Sequence, residues 1–349
     1  MGKKWDYDVP GADVWRECLR VLKPGGHLLS FFGTRTYHRG VTPIEDAGFE
    51  IRDQIGWLYG SGFPKSSNQA DEWEGWGTAL KPAWEPIVVA RKPLEGTVPQ
   101  NLAAYQVGAL NIDGCRVPTD EIRPRDSVQK PHDEFGTFIE NGGRARSTGS
   151  GANHEMGRWP ANIIHDGSAE VLDAFPSAPG QIAKASSSSS DARKTQNVYG
   201  AMKRGSDGAE PRDVGGSAAR FFYCAKASRA DRDAGMSAFE TKTVDVLAGH
   251  RSRRMEEIKR PDGAPPATGK NTHPTVKPTT LMQWLCRLVT PPGGTVLDPF
   301  MGSGSTGRGA VMEGFGFVGI ELDPEYAAIS RARIAAVSGM TNDNEGIFS

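Results

Sequence analysis

Cysteine is scarce in this chain. Among 349 residues there are four, Cys18, Cys115, Cys224 and Cys286, scattered and without a Cys-x-x-Cys pair. Neither a disulfide framework nor a zinc site is expected from them. The histidines (His27, His38, His132, His154, His165, His250 and His273) show no metal-ligand spacing, so no metal is assigned. No apolar run approaches the roughly 20 residues needed to span a bilayer. Met1-Gly2-Lys3-Lys4 leads into Trp5-Asp6-Tyr7-Asp8 without the apolar core of a signal peptide, and a soluble, cytoplasmic protein is expected. Charge of one sign is lacking too: 41 basic and 42 acidic residues leave a formal net charge of −1. No global field advertises nucleic acid, although a local basic groove would suffice to contact phosphates.

The informative run is Val296-Leu297-Asp298-Pro299-Phe300-Met301-Gly302-Ser303-Gly304-Ser305-Thr306. Apolar residues lead into an acid, then a Gly-x-Gly turn, then the small-residue start of a helix. A strand, tight loop and helix N-terminus in this order form the usual seat for a nucleotide-like cofactor at a sheet edge. A second strand, Gly316 to Ile320, ends in Glu321, where an acid can hold ribose hydroxyls. Gly302, Gly304 and Gly307 also spell the dinucleotide fingerprint, so NAD is the competing cofactor. Against NAD, a carboxylate and an aromatic face stand at the strand end, where a dinucleotide loop is normally bare. The fingerprint also comes near the end of the chain instead of opening the fold.

Upstream, residues 11–22 place Val14, Trp15, Cys18, Leu19 and Leu22 at helical spacing. Lys23-Pro24-Gly25-Gly26 stops this helix, and His27 to Phe32 reads as a buried strand. The same helix–break–strand order recurs over Leu281–Leu288, Pro291–Gly294 and Thr295–Leu297, as in an α/β sheet. A short helix is expected within 37–48 and strands at 50–59 and 86–91, the last two as an antiparallel pair at the sheet edge. From about 96 to 270, Gly, Ser, Pro and charges dominate and periodicity is weak; Ser186 to Ser190 is a pure serine run. Ordered islands are expected at 105–117, 157–175 and 219–233. Arg220-Phe221-Phe222-Tyr223-Cys224-Ala225-Lys226 interleaves basic and aromatic residues as nucleic-acid surfaces do, but a strand with one buried face is the favoured reading. The basic run Arg251, Arg253, Arg254, Lys259 and Arg260 suits phosphate contact and a solvated linker equally well. Phe63 and Lys65, in a Gly-rich loop, are candidate DNA contacts.

Asp298 to Thr306 resembles the S-adenosylmethionine (SAM) loop of amino-group DNA methyltransferases, which modify adenine N6 or cytosine N4. His273-Pro274-Thr275-Val276-Lys277-Pro278 is similar to that family's other cofactor motif, which in the permuted subclass directly precedes the SAM loop, as here. The resemblance is strong over 271–335 and clear over 1–95. The middle resembles a phage-type or prophage-type subset, through Gly108 to Gly114 and Arg158 to Asn162. The resemblance implies a Rossmann-like α/β methyltransferase fold with circularly permuted motif order. Residues 1–95 would form the catalytic half of the sheet, 96–270 a loop-rich target-recognition insert, 271–338 the SAM-binding half, and 339–349 a tail. It implies SAM as cofactor and double-stranded DNA as substrate, with direct methyl transfer after base flipping. Asp298, Phe300, Gly302, Gly304, Ser305, Thr306, Glu321 and Asp323, with Thr275 and Lys277, would bind the cofactor. Glu321 would take the ribose hydroxyls, and Asp323 or Leu322 would border the adenine.

One family element is absent. The catalytic tetrapeptide Asp/Asn/Ser-Pro-Pro-aromatic orients the target amine, and the only Pro-Pro pairs here, Pro265-Pro266 and Pro291-Pro292, lack its flanking residues. In the permuted order it belongs just upstream of Trp5, at the end of a strand between 295–297 and 27–32. Without that strand two buried edges face a gap, and each unmet buried group costs about 1–3 kcal/mol against a domain stability of about 5–15 kcal/mol. The expectation is therefore an N-terminally shortened chain, with no assignable catalytic residue and little methyl transfer as it stands. The alternatives are a non-catalytic SAM- or DNA-binding remnant, a methyltransferase for RNA or a small molecule, and an NAD-dependent oxidoreductase.

Overall fold

The computed structural model describes residues 8–62, 66–119, 157–178, 216–225, 228–243 and 268–339. Phe63, Lys65, Lys226, the serine run and the basic run from Arg251 to Arg260 lie outside the described residues.

In the first half, α1 (Ala12–Val21), β1 (His27–Phe31), α2 (Tyr37–Asp46), β2 (Glu50–Leu58), β3 (Trp84–Arg91) and α3 (Val98–Tyr105) follow in order. β3 is the middle of the core because its residues are apolar without a break: Ile87, Val88, Val89 and Ala90 are all buried. Alternation sends Val88 and Ala90 to one face, where Trp15, Leu28, Ile44 and Phe49 pack beneath α1 and α2. Ile87 and Val89 point to the other face, onto Leu281, Trp284 and Leu285 of α6 (Thr279–Val289). A strand covered on both faces needs an apolar residue at every position.

β2 and β3 pair antiparallel, with Ile55 opposite Ile87, and β1 pairs antiparallel to the far side of β3. The pair does not lie at the sheet edge as expected from sequence. β4 (Ile163–His165) adds parallel to β2, and β7 (Tyr223–Cys224) adds parallel to β4, giving the order β1-β3-β2-β4-β7. Between them in the chain come α4 (Ala169–Ala174) and the minor pair β5 (Ser177–Ala178) with β6 (Gly216–Ser217). Strands of three and two residues are too short to show a period; β4 is ordered on the edge of β2, and β7 on β4.

The remainder is α5 (Arg229–Asp233), the minor pair β8 (Lys242–Thr243) with β9 (Thr268–Gly269), α6, β10 (Thr295–Asp298), α7 (Ser305–Met312), β11 (Gly316–Gly319) and α8 (Pro324–Ser338). β10 and β11 pair in parallel, Leu297 opposite Val318, and form a sheet of their own. Described parts of 96–270 are built into both halves. Cys115 packs in the α6 core, while Met236 packs on Tyr326 and Ile329 of α8. All four cysteines are free thiols, and no helix among the described residues is long and apolar enough to cross a membrane.

Candidate cofactor site

The ends of β10 and β11 are stitched together before the chain turns into α7. Ile320 N–H donates to Asp298 O (2.9 Å) and Met301 N–H to Ile320 O (3.0 Å). Glu321 braces the turn: one carboxylate oxygen accepts from Gly302 N–H (2.7 Å), the other from Asp323 N–H (2.9 Å). Asp298 accepts from Phe300 N–H (3.0 Å). Burial pushes its carboxyl above the ordinary carboxylate range, opposed by the Thr306 and Phe300 hydrogen bonds.

Two glycines are dictated by space as well as by backbone. Gly302 has φ +53°, and a Cβ there would lie 2.7 Å from the His273 Nε2. Gly304 has φ +76°, and its Cβ would meet Ser330 Cβ at 2.8 Å. Both are left-handed positions, and both are crowded. His273 also meets Tyr326 edge-on at 4.6 Å, so the upstream motif and α8 close on the loop from two sides.

Beneath the loop sits Arg333, fully buried. It donates to Ser303 O (2.6 Å), Ser303 Oγ (3.1 Å), Ser305 Oγ (3.2 Å) and Asp231 O (3.1 Å). Burial lowers its pKa to about 10, well above neutrality, so the guanidinium stays charged. Asp231 in turn holds the start of α6, accepting from Thr279 N–H (2.7 Å) and Thr279 Oγ1 (2.6 Å). Arg232 donates to Asn271 O and His273 O, and buried Asn271 returns a bond to Arg232 O (3.0 Å). The short helix α5 thus ties the 271–279 segment to the glycine loop.

The DNA methylase family model of N6 and N4 methyltransferases matches residues 7–332. The chain belongs to this DNA methylase family. YubD of Escherichia coli (strain K12) is 43% identical over 82 residues, which are 22% of this chain and 36% of that protein. The type II methyltransferase M.HindIII of Haemophilus influenzae (strain ATCC 51907 / DSM 11121 / KW20 / Rd) is 33% identical over 116 residues, 29% of this chain and 38% of that one. The matched part of this chain spans little more than a third of the length of either. Among solved structures, the M1.HpyAVI–SAM complex aligns at 14% identity and TM-score 0.38, covering 93% of this chain and 81% of that one. PvuII DNA methyltransferase, cytosine-N4-specific, aligns at 12% identity and TM-score 0.39, covering 96% and 72%.

In this methylase-family chain, eight of the residues singled out from sequence converge on one loop: Asp298, Phe300, Gly302, Gly304, Ser305, Thr306, Glu321 and Asp323. Their side chains do different work. Ser305 faces inward to Arg333, and Asp323 caps α8 by accepting from Glu325 N–H (2.9 Å). Phe300 and Leu322 stand exposed, with Phe300 reaching Trp15 of α1 at 6.2 Å, edge to face. Thr275 lies exposed beside His273, donating its N–H to His273 Nδ1 (3.3 Å). Lys277 pairs with Glu85 and lies over the rings of Phe31 (4.9 Å) and Trp57 (5.3 Å), at the ends of β1 and β2.

The favoured strand reading of 220–226 needs correction. Ala218–Phe221 is a 3-10 turn and only Tyr223–Cys224 is strand. The Arg220 guanidinium turns back onto Gly216 O and Ser217 O (both 2.9 Å) and stacks on Phe221 at 4.3 Å, which is local chemistry that a period-2 pattern does not describe. Sequence reading also passed over Arg333, Asp231, Asn271 and Glu85. Arg333 had a signal: with Tyr326, Ile329, Ser330 and Ile334 it lies on one helical stripe, where a charge must find buried partners.

Proposed function

We propose that this chain is the greater part of a DNA methyltransferase that transfers a methyl group from SAM to an exocyclic amine of double-stranded DNA after base flipping, adenine N6 favoured over cytosine N4, in the cytoplasm. The observation that carries the cofactor half of this reading is the Glu321–Gly302 brace beside two glycines that admit no side chain.

The site fits SAM by its own chemistry. Exposed Phe300 and Leu322 offer apolar surface for a purine ring, and Glu321 offers acceptors for vicinal hydroxyls. The crowded glycine turn leaves backbone N–H groups at the start of α7 for the amino-acid end. When bound, SAM supplies a methyl group on a sulfonium, electrophilic enough to react with an amine. The chain's residues hold and orient: Arg333 fixes the loop, and His273 and Asn271 fix the segment above it. Lys277, paired with Glu85 and lying over Phe31 and Trp57, ties the segment ahead of α6 to the ends of β1, β2 and β3. NAD is the weaker fit, since neither Phe300 nor Asp298 answers a pyrophosphate requirement.

The reading includes a shortened catalytic half. β10 pairs only with β11, and the outer edge of β1 has no strand partner among the described residues; both facts support a strand missing between them. A non-catalytic remnant is the second reading, favoured by the absence of the Pro-Pro-aromatic tetrapeptide from the sequence. The test is tritium transfer from labelled SAM to DNA, followed by nucleoside analysis, for this chain and for the chain extended by the residues encoded in frame upstream of Met1. The expected result is N6-methyladenine from the extended chain and little from the 349 residues alone. Robust transfer by the short chain would overturn the shortening, and none by either would favour the remnant.

A further inference from the structure

The five residues of α5, Arg229-Ala230-Asp231-Arg232-Asp233, carry no apolar stripe to bury. They lie in the polar 96–270 stretch, yet three in succession each grip a different part of the cofactor site. Asp231 holds the start of α6 and the guanidinium of Arg333. Arg232 holds the carbonyls of Asn271 and His273. Asp233 accepts from Lys270 N–H (3.2 Å) and Asn271 N–H (3.0 Å). Just beyond, Gly235 (φ +82°) lies so close to α8 that a Cβ would meet Ala336 Cβ at 2.7 Å.

α6 starts at Thr279 directly after Pro278, which has no side-chain oxygen to cap it. The first N–H groups of a helix need an acceptor, and a carboxylate there is also favoured by the helix dipole. Asp231 supplies both from another element, with Oδ2 on Thr279 N–H and Oδ1 on the Thr279 hydroxyl. Its Oδ1 also stands 3.7 Å from Arg308 Nη2 on α7, and its backbone carbonyl accepts from Arg333 Nη2 on α8. The other terminal nitrogen of Arg333 fastens Ser303 and Ser305. Burial lowers the Arg333 pKa, and the Asp231 carboxylate works against that loss of charge. One acid thus meets groups on α6, α7 and α8.

We infer that Asp231 is a positioning residue for SAM binding: it sets the 302–305 turn through Arg333 and the 273–279 segment through Thr279, without itself holding the ligand. Its carboxylate oxygens are already committed to Thr279 and Arg308. The glycine turn and Thr275, which the cofactor reading assigns to the ligand, therefore depend on an acid distant from both in sequence. The inference rests on the SAM reading for the ligand's identity, and on the hydrogen bonds alone for the positioning. Bonds to a charged acceptor are roughly twice as strong as neutral ones. Asp231→Asn, which keeps the shape and removes the charge and one acceptor, is accordingly the sharpest probe.

The test is calorimetric titration with SAM of the unsubstituted chain and of Asp231→Asn, Thr279→Val and Thr279→Ser, alongside hydrogen exchange of the ligand-free proteins. Asp231→Asn should bind SAM about tenfold more weakly. Thr279→Val, lacking only the hydroxyl donor, should weaken binding about threefold, and Thr279→Ser, which restores the hydroxyl, should return it to the unsubstituted value. Without ligand, Asp231→Asn should speed exchange at amides 302–305 and leave those of the β2–β3 pair unchanged. A merely structural role would instead lower the urea midpoint and speed exchange throughout, with the affinity of the folded chain unaltered. SAM affinity of Asp231→Asn within about twofold of the unsubstituted chain, or exchange speeded equally everywhere, would overturn the inference. If the unsubstituted chain takes no SAM while amides 302–305 still respond selectively to Asp231→Asn, the positioning of the turn stands and the SAM reading falls. With neither binding nor a selective response, both fall.

Discussion

The five-stranded sheet and the β10–β11 sheet are finished to different degrees among the described residues. The five-stranded sheet has α1 and α2 on one face and α6 on the other, and β3 within it is buried from Ile87 to Ala90. The β10–β11 sheet is packed on one face only, yet the loop at its end is held from several sides by Glu321, His273, Ser330 and Arg333. Loop precision and sheet completeness are therefore separate properties here. The loop is held by Glu321, His273 and the residues of α8 behind it.

The comparison can be broken most severely at Arg333. Arg333→Met would leave the Ser303 and Asp231 carbonyls without their donor and should cost about 3–5 kcal/mol, read as a lowered urea midpoint. A loss under about 1 kcal/mol would mean that the loop is held otherwise. In the five-stranded sheet the sensitive group is His27. Burial, then the charges of Arg91 and Arg52, lowers its pKa from 6.5 to about 4. The unfolded chain takes up a proton below pH 6.5 that folded His27 refuses until about pH 4. Stability should thus fall by on the order of 3 kcal/mol as pH drops through this window. His27→Phe should flatten that slope in pH-resolved unfolding; an unchanged slope would assign it elsewhere.

Adjacent positions on β11 test the two faces directly. Phe317→Ala, on the packed face, should cost about 2 kcal/mol, less than a fully buried aromatic, whereas Val318→Ala should fall within about 0.5 kcal/mol. Equal effects would erase the difference between the faces. The smallest effect is expected at the solvent-exposed Arg20–Glu17 pair on α1 (2.8 Å): Glu17→Gln should change stability by less than about 0.5 kcal/mol.

Much of this architecture was legible in the residues. Helical spacing marked α1, the recurring helix–break–strand order marked α6, and a strand was expected at 86–91, where β3 lies. The acid and glycines of 298–304 marked the turn between β10 and α7. What was not legible depended on distant partners. β4 and β7 are too short to carry a pattern; β4 borrows its order from the edge of β2, and β7 from β4. Asp231 and Asn271 lie in a polar stretch whose composition resembles a linker, and only the fold shows them clasping α6 and His273. Lys277 read as part of the cofactor segment because its neighbours in sequence belong there, but its long side chain reaches Glu85 on another element.

The most direct test of the central claim is calorimetric titration of the chain with SAM and, separately, with NADH, repeated on Gly304→Ala. That variant forces a Cβ against Ser330 at a left-handed position, so it should weaken a ligand held by the loop. The account predicts SAM binding by the unmodified chain, at least tenfold weaker binding by Gly304→Ala, and no NADH binding. NADH binding without SAM binding, or SAM binding that Gly304→Ala leaves unchanged, would contradict it.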